Sequence, residues 1–239
     1  KSKIVHYSSM TYLPLTFLTA QVIYYIMQGK VKLAGWMKAS LLSIAFIAGA
    51  LIIALPFLGM NIEILKPLFA QDKFALANLD ADIHWSWYQS IAGVMLIAIT
   101  VAFILLSKRE QLNKAYITLF GGVGVFVFLT LILFIKKIEG ISQLAAMEFY
   151  ESKVDCNCYV EPEGFKSYGH LFYSQRPADL IPEEHKDASY KQWVLHGDIN
   201  KDAYFVSKIT VDKKLRENPE MEFLYEKNGF TFWKRSANK

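Results

Sequence analysis

The sequence predicts an α-helical membrane domain of four transmembrane helices with interfacial amphipathic helices over residues 1–137, followed by a small α/β extracytoplasmic domain over 138–239. Three observations predict it. Residues 4–29, 39–62, 83–107 and 115–135 contain no Asp, Glu, Lys or Arg, and each is long enough to cross a hydrocarbon core that needs about 20 helical residues. The charge divides unevenly: residues 1–135 hold 10 basic and 5 acidic residues, and the remainder hold 16 and 17. Beyond residue 137 the apolar runs give way to helix-like and strand-like periodicities in alternation. With 53% hydrophobic and 20% charged residues, an ordinary soluble domain is excluded, because a soluble helix returns a polar face every turn. A nucleic-acid partner is excluded too, since the basic residues form small clusters between apolar runs and no single solvated face.

The spans fall at about 10–29, 40–60, 86–107 and 115–135. The first is too long for a signal-peptide core and has no small-residue cleavage site. The chain opens Lys1-Ser2-Lys3 with no initiating Met, which leads us to expect a piece of a longer membrane protein. Orientation follows from the short loops, because Lys and Arg are retained on the cytoplasmic side. Lys30, Lys32 and Lys38 stand between the first two spans, and Lys108, Arg109 and Lys114 between the last two. The loop at 61–83 carries Glu63, Asp72, Asp80 and Asp82 against Lys66 and Lys73, and is expected outside. Both the Lys1 end and the chain after Ile135 are then external. Lys136 and Lys137 break the inside rule, which points to an anionic partner or to translocation ahead of a long domain.

In the outer loop, Ile62, Leu65 and Phe69, then Leu76, Leu79 and Ile83, recur at helical spacing, separated by Pro67 and Gln71-Asp72-Lys73. They read as two short amphipathic pieces in the membrane interface. Trp85, Trp87 and Tyr88 follow where amphipathic rings favour the headgroup level; stacking of one Trp on a sugar is the alternative.

In the C-terminal part, Ile141, Leu144, Ala145 and Phe149 form one face of a helix continuing out of the membrane. Cys158-Tyr159-Val160 reads as a short buried strand stopped by Pro162 and Gly164, and Tyr168, Leu171 and Phe172 as a helix ending before Pro177. Trp193-Val194-Leu195 reads as a strand, 203–209 as a clearer one, and 212–218 as a charged helix capped by Asp212. Strands at 222–226 and 230–234 flank Lys227-Asn228-Gly229, and Asn-Gly between alternating apolar runs signals a hairpin. The expected product is a small mixed sheet with helices. It has no glycine-rich loop of the kind a nucleotide site uses.

No self-sufficient catalytic constellation emerges from the residues. His6, His84, His170, His185 and His196 show no ligand-like pairing, and Cys156-Asn157-Cys158 lacks the second Cys/His pair of a structural zinc site. The two cysteines read as small, half-buried strand residues, with a strained external disulfide as the alternative. Asp80-Ala81-Asp82 resembles the Asp-x-Asp element of metal-dependent sugar transferases but sits in a membrane-facing loop. No cofactor or metal site is identified. The first nine residues are the most informative polar stretch, because Lys1, Lys3, His6 and Tyr7 stand where a span meets the outer surface. Ammonium groups there can donate to a phosphate in a partly dehydrated setting, or snorkel to lipid phosphates in general.

Lys1-Ser2-Lys3-Ile4-Val5-His6-Tyr7 resembles the Lys-x-Lys-Leu-Pro-x-Tyr element of the integral-membrane GT-C glycosyltransferases related to aminoarabinose transferase and protein O-mannosyltransferase (dolichyl-phosphate-mannose-protein mannosyltransferase). Lys1, Lys3 and Tyr7 match the motif, and Val5 replaces its proline. A following span with Tyr12, Pro14 and Leu15, further spans, and an external α/β domain ending in a hairpin like Asn228-Gly229-Phe230 are similar too. The resemblance implies sugar transfer from a polyprenyl-phosphate-linked donor to a lipid or protein acceptor, on the external face of a bacterial inner membrane. It places the carrier phosphate at Lys1, Lys3 and Tyr7, with His6, Lys136 and Lys137 as secondary contacts. It puts the catalytic carboxylate in a first outer loop, before Lys1, and leaves open a divalent metal in the full-length enzyme. The 239-residue chain alone is then expected to be inactive. A non-enzymatic membrane anchor whose external α/β module binds a partner is the competing expectation from another class.

The basic loops make the orientation testable. Single cysteines introduced at Gly35 and Gln111 should resist a membrane-impermeant thiol reagent added to intact cells, and ready labelling at either would reverse the topology.

Overall fold

A computed structural model describes residues 9–108, 111–177, 180–185 and 190–237. Its helices run α1 (Tyr12–Met27), α2 (Gly35–Met60), α3 (Lys73–Leu79), α4 (Ile91–Lys108), α5 (Leu112–Ser142) and α6 (Leu144–Glu151). After them come β1 (Tyr159–Glu163), α7 (Gly169–Tyr173), α8 (Tyr190–His196), β2 (Ala203–Lys208), α9 (Lys213–Arg216), β3 (Met221–Lys227) and β4 (Phe230–Arg235). Three helical stretches are long and apolar enough to cross a membrane, namely Gly35–Met60, Trp87–Lys108 and Leu112–Ser142. The 16 residues of α1 rise about 24 Å, short of a hydrocarbon core about 30 Å thick. Two compact units result: Lys1–Phe57 with Ser86–Leu133, and Leu58–Trp85 with Phe134–Lys239.

In the first unit small residues bring helices together. A Cβ on Gly49 would stand 2.9 Å from the Gly93 carbonyl oxygen, and one on Gly122 would stand 2.9 Å from Ile99 side-chain carbons. Glycine at such crossings permits the backbone approach that packs helices in lipid, where water supplies no driving force. Pro56 lies inside α2, and Ser90 Oγ donates to the Ile53 carbonyl at 3.0 Å, adding a polar contact in the turn that proline weakens. Phe103, Ala115 and Tyr116 form a small buried cluster between α4 and α5.

The second unit is built on a four-stranded sheet in the order β1-β2-β4-β3. β1 and β2 are parallel, with Val160 opposite Tyr204. β4 runs antiparallel to both neighbours, with Phe205 opposite Trp233 and Phe223 opposite Trp233 on the other side. Alternation along the strands feeds two cores. Val160, Val206, Phe230 and Phe232 meet Ala145, Ala146, Phe149 and Tyr150 of α6 on one face. Tyr159, Phe205 and Trp233 meet Val194, Leu195, Ile199 and Leu215 on the other.

Several sequence expectations change. Trp193-Val194-Leu195 lies in helix α8, because a short apolar run buried against a sheet has no period of its own to mark it as strand. Pro162 lies within β1 and does not stop it. β1 is an edge strand, so its missing N–H faces away from β2, and the strand gives way to Gly164 at φ +79°. The outgoing helix breaks at Gln143 between α5 and α6. Asp212 pairs with Arg216 at 2.8 Å and makes no side-chain cap bond, and the helix is only Lys213–Arg216. Cys156 and Cys158 are joined in a disulfide, the alternative expected from the sequence, and both precede β1, which begins at Tyr159 and not at Cys158. Trp85 is buried against Phe134, with ring centroids 6.3 Å apart, so only Trp87 and Tyr88 remain exposed as belt residues.

The outer loop also belongs to this unit. Asp72 caps α3 by accepting from the Phe74 and Ala75 amides. Phe74 meets Phe230 edge-on at 5.1 Å. The Asn228-Gly229 turn has φ of 48° and 76°, as a two-residue hairpin requires. A Cβ at Gly229 would stand 3.0 Å from Phe74 Cδ2, so glycine there serves both the turn and the docking of α3.

In chemical denaturation followed by tryptophan fluorescence, Gly229→Ala should destabilise this unit by about 1–2 kcal/mol from the left-handed φ alone. Combined with Phe74→Ala, its loss should be smaller than the sum of the single losses, since both changes act on one contact. Strict additivity would mean that α3 does not dock on the turn.

Candidate functional site

Of the residues assigned to the carrier phosphate, Lys1, Lys3, His6 and Tyr7 lie outside the described residues. Lys136 is exposed on α5. Lys137 Nζ donates to the His84 carbonyl oxygen at 2.5 Å. Asp80 of the Asp-x-Asp element pairs with Lys66 at 2.9 Å, and Lys66 also holds Glu63 at 2.7 Å. Among the described residues, no group of three or more His, Cys, Asp or Glu could hold a metal ion.

The densest buried chemistry is elsewhere, beside edge strand β1. Glu161 and Glu163 alternate on it, and both are buried. Arg176 Nη1 donates to Glu161 Oε1 at 2.5 Å and to the Tyr190 hydroxyl at 3.3 Å. His170 Nε2 stands 3.6 Å from Glu161 Oε2. Lys191 Nζ lies 3.0 Å from Glu163 Oε2 and donates to the Pro162 carbonyl at 2.7 Å. Two carboxylates on one strand thereby fasten α7, α8 and the segment at Arg176 to the sheet edge.

Burial raises the pKa of Glu161, against which Arg176 and a hydrogen bond from Tyr190 work to keep it ionised. Burial also holds His170 down to about 4, with Arg176 adding to the effect. The ring is therefore neutral at pH 7. The Tyr150 hydroxyl is buried without a hydrogen-bond partner among the described residues, and burial followed by the Glu161 charge raises its pKa. A buried ion pair of this kind recovers its desolvation cost only through complete pairing, and for Glu161 burial outweighs what Arg176 and Tyr190 return. The pair holds α7, α8 and the Arg176 segment in position.

Arg176 also lines a cavity of about 210 Å³ with Lys153, Asp155 and the Cys156–Cys158 disulfide. Asp155 and Gln175, both on its wall, have positive φ of 62° and 49°. Lys153 lies over the Tyr204 ring at 3.9 Å, and burial lowers its pKa, with Lys234 adding repulsion. One residue separates the two cysteines, so the chain-entropy gain is under about 2 kcal/mol. The bridge pins the local turn at Asp155 and joins no distant segments.

Sequence reasoning missed this network. Its one legible signal was a Glu-Pro-Glu run inside an otherwise buried strand; His170 lies in the helix expected before Pro177, but nothing in that pattern aims it or Arg176 at the strand, and Tyr190 comes from a segment with no periodicity to place it. Comparison with protein families, with characterised proteins and with solved structures gave no match.

The network gives a pH dependence of stability. The unfolded chain protonates His170 near pH 6.5, whereas the folded unit resists until about pH 4. The contribution of the neutral ring is therefore complete above pH 6.5 and is lost as pH falls towards 4. Its size is about 3 kcal/mol. Between pH 7 and 4, unfolding free energy should fall by about that much more in the wild type than in His170→Gln, and parallel curves would contradict the buried neutral ring.

Proposed function

We propose that the chain is the C-terminal part of a membrane glycosyltransferase that moves a sugar from a polyprenyl-phosphate-linked donor to a lipid or protein acceptor on the external face of the membrane. In this reading Lys1, Lys3 and Tyr7 hold the carrier phosphate, and the carboxylate that acts as general base precedes Lys1. A cation beside the leaving phosphate stabilises the charge that develops as the glycosidic bond breaks.

The observation that carries the reading is an apolar groove in the first unit, about 430 Å³ in volume, walled by α1, α2, α4 and α5. Leu15, Leu18 and Val22 of α1 form one wall, and Leu41 of α2, Phe103 of α4 and Leu119 of α5 close it. Its polar lining is limited to the Thr19 and Tyr116 side chains, and Thr19 Oγ1 is spent on the Leu15 carbonyl at 2.8 Å. The groove starts eight residues after Tyr7 and continues to Ile26. An isoprenoid tail needs such a groove, long and without charge, and Met37, Leu41, Tyr116 and Leu119 put its far end at the starts of α2 and α5.

In the intact enzyme, Lys3→Ala should lower turnover of polyprenyl-phosphate-linked donor by about tenfold to a hundredfold, the value of one charged hydrogen bond to phosphate. Lys3→Arg should keep part of the activity, because the charge survives while the compact ammonium does not. Lys38→Ala, in the first turn of α2 and assigned only to orientation, should have little effect. Equal small effects of Lys3→Ala and Lys38→Ala would leave general snorkelling as the role of these lysines and remove the phosphate assignment.

A further inference from the structure

A second cavity in the C-terminal unit, about 250 Å³, opens where α5 ends. Ser142 and Gln143 line one side, Phe74 and Phe165 another, and Lys166 and Lys208 complete it. No Asp or Glu is among its described lining residues. That lining is made of cations, neutral donors and ring faces, a composition suited to an anion.

Lys208 is the unusual member. It is half-buried at the end of β2, and its ammonium lies 4.3 Å from the Phe74 ring centroid and 5.5 Å from that of Phe165. Elsewhere in the unit Lys66, Lys191, Lys227 and Lys234 are each paired with a carboxylate within 3.0 Å. Lys208, like Lys153, has no carboxylate within 4.0 Å among the described residues and is neighboured by ring faces, and of the two Lys208 lines this cavity. Two ring quadrupoles orient an ammonium but replace its counter-ion only in part. Tyr150, whose buried hydroxyl lacks a partner, also lines the cavity.

Size and position narrow the ligand. The volume lies below that of pockets for drug-sized molecules, about 300 Å³ and upward, and so admits a head group but not a nucleotide. The charge-free run of α5 ends at Ile135, seven residues before Ser142. Seven helical residues rise about 10 Å, which sets the cavity mouth near the outer edge of a headgroup layer some 5–8 Å deep.

We propose that this cavity is a binding site for a phosphate-bearing head group, with Lys208 as its principal cation and Lys166 as a second one at the mouth. The inference does not depend on the transferase reading, since an anchor protein with the same cavity would bind the same group. A phosphate there can reach the cavity as part of an anionic lipid or as a soluble sugar phosphate, and the two sources separate experimentally.

The test uses the full chain in nanodiscs. One arm titrates glucose 6-phosphate, with glucose as control, into protein in phosphatidylcholine discs. The other compares thermal unfolding in phosphatidylglycerol and phosphatidylcholine discs. A soluble source predicts saturable binding of glucose 6-phosphate that Lys208→Met weakens about tenfold to a hundredfold. A lipid source predicts a phosphatidylglycerol-dependent rise in unfolding temperature that Lys208→Met abolishes. Lys208→Met keeps the aliphatic stem over the rings, and Lys166→Met, at an exposed position, should weaken the same effect without touching the fold. Lys213→Met, at a position whose side chain is 83% exposed, should change neither arm. The proposal is overturned if neither probe gives a response dependent on Lys208 and Lys166, or if Lys213→Met weakens it equally.

Discussion

The hydrocarbon core of a bilayer is the constraint on which the rest of this structure depends. A chain inside it must satisfy every backbone hydrogen bond internally, so the charge-free stretches become α2, α4 and α5, three helices apolar on all sides. Because lipid tails are as apolar as the side chains, these helices are held by close approach at Gly49, Gly93 and Gly122 and by single polar contacts such as Ser90 to Ile53. In the first unit the described charges are kept to the loops and the terminal turns of the helices, as with Lys38, Lys108 and Lys114.

The second unit meets the opposite requirement, a hydrophobic core assembled against water. Its sheet buries Val206, Phe232, Phe205 and Trp233 on alternate faces, and it draws on segments far apart in sequence. Phe74 of the outer loop covers Phe230, and Lys227 ties the hairpin to Glu148 of α6 at 2.7 Å. The Glu161–Arg176 pair and its neighbours fasten the helices on the β1 edge, which would otherwise expose an unpaired strand. Burial that stabilises this arrangement also makes it acid-sensitive, through a histidine that the fold keeps neutral.

What was legible in the sequence follows the range of the forces involved. Three of the four expected apolar spans, the Asn228-Gly229 hairpin and the strand expected at 203–209, which runs 203–208, are local patterns and survive in the structure. The helix at 190–196 was misread because Trp193-Val194-Leu195 carries no period, and its partners Tyr159 and Phe205 lie on strands that the run itself cannot reveal. Burial of Trp85 was hidden for a related reason, since the space it fills is left by Gly59 of α2, 26 residues earlier. The candidate site was the least legible part. Lys1, Lys3 and Tyr7 were singled out by a motif, whereas Glu161, Arg176 and Lys208 acquire their surroundings only when the sheet brings distant loops together.

The proposed function joins the basic Lys1–Tyr7 element of the sequence to the apolar groove of the first unit. Its central claim is that the intact protein holds a polyprenyl phosphate. Native mass spectrometry of the full-length protein, purified from its own membranes in mild detergent, tests that claim most directly. The account predicts a retained polyprenyl-phosphate species at one per protein, released on treatment with excess competing carrier lipid. A spectrum carrying only bulk phospholipid, unchanged by added carrier, would contradict it.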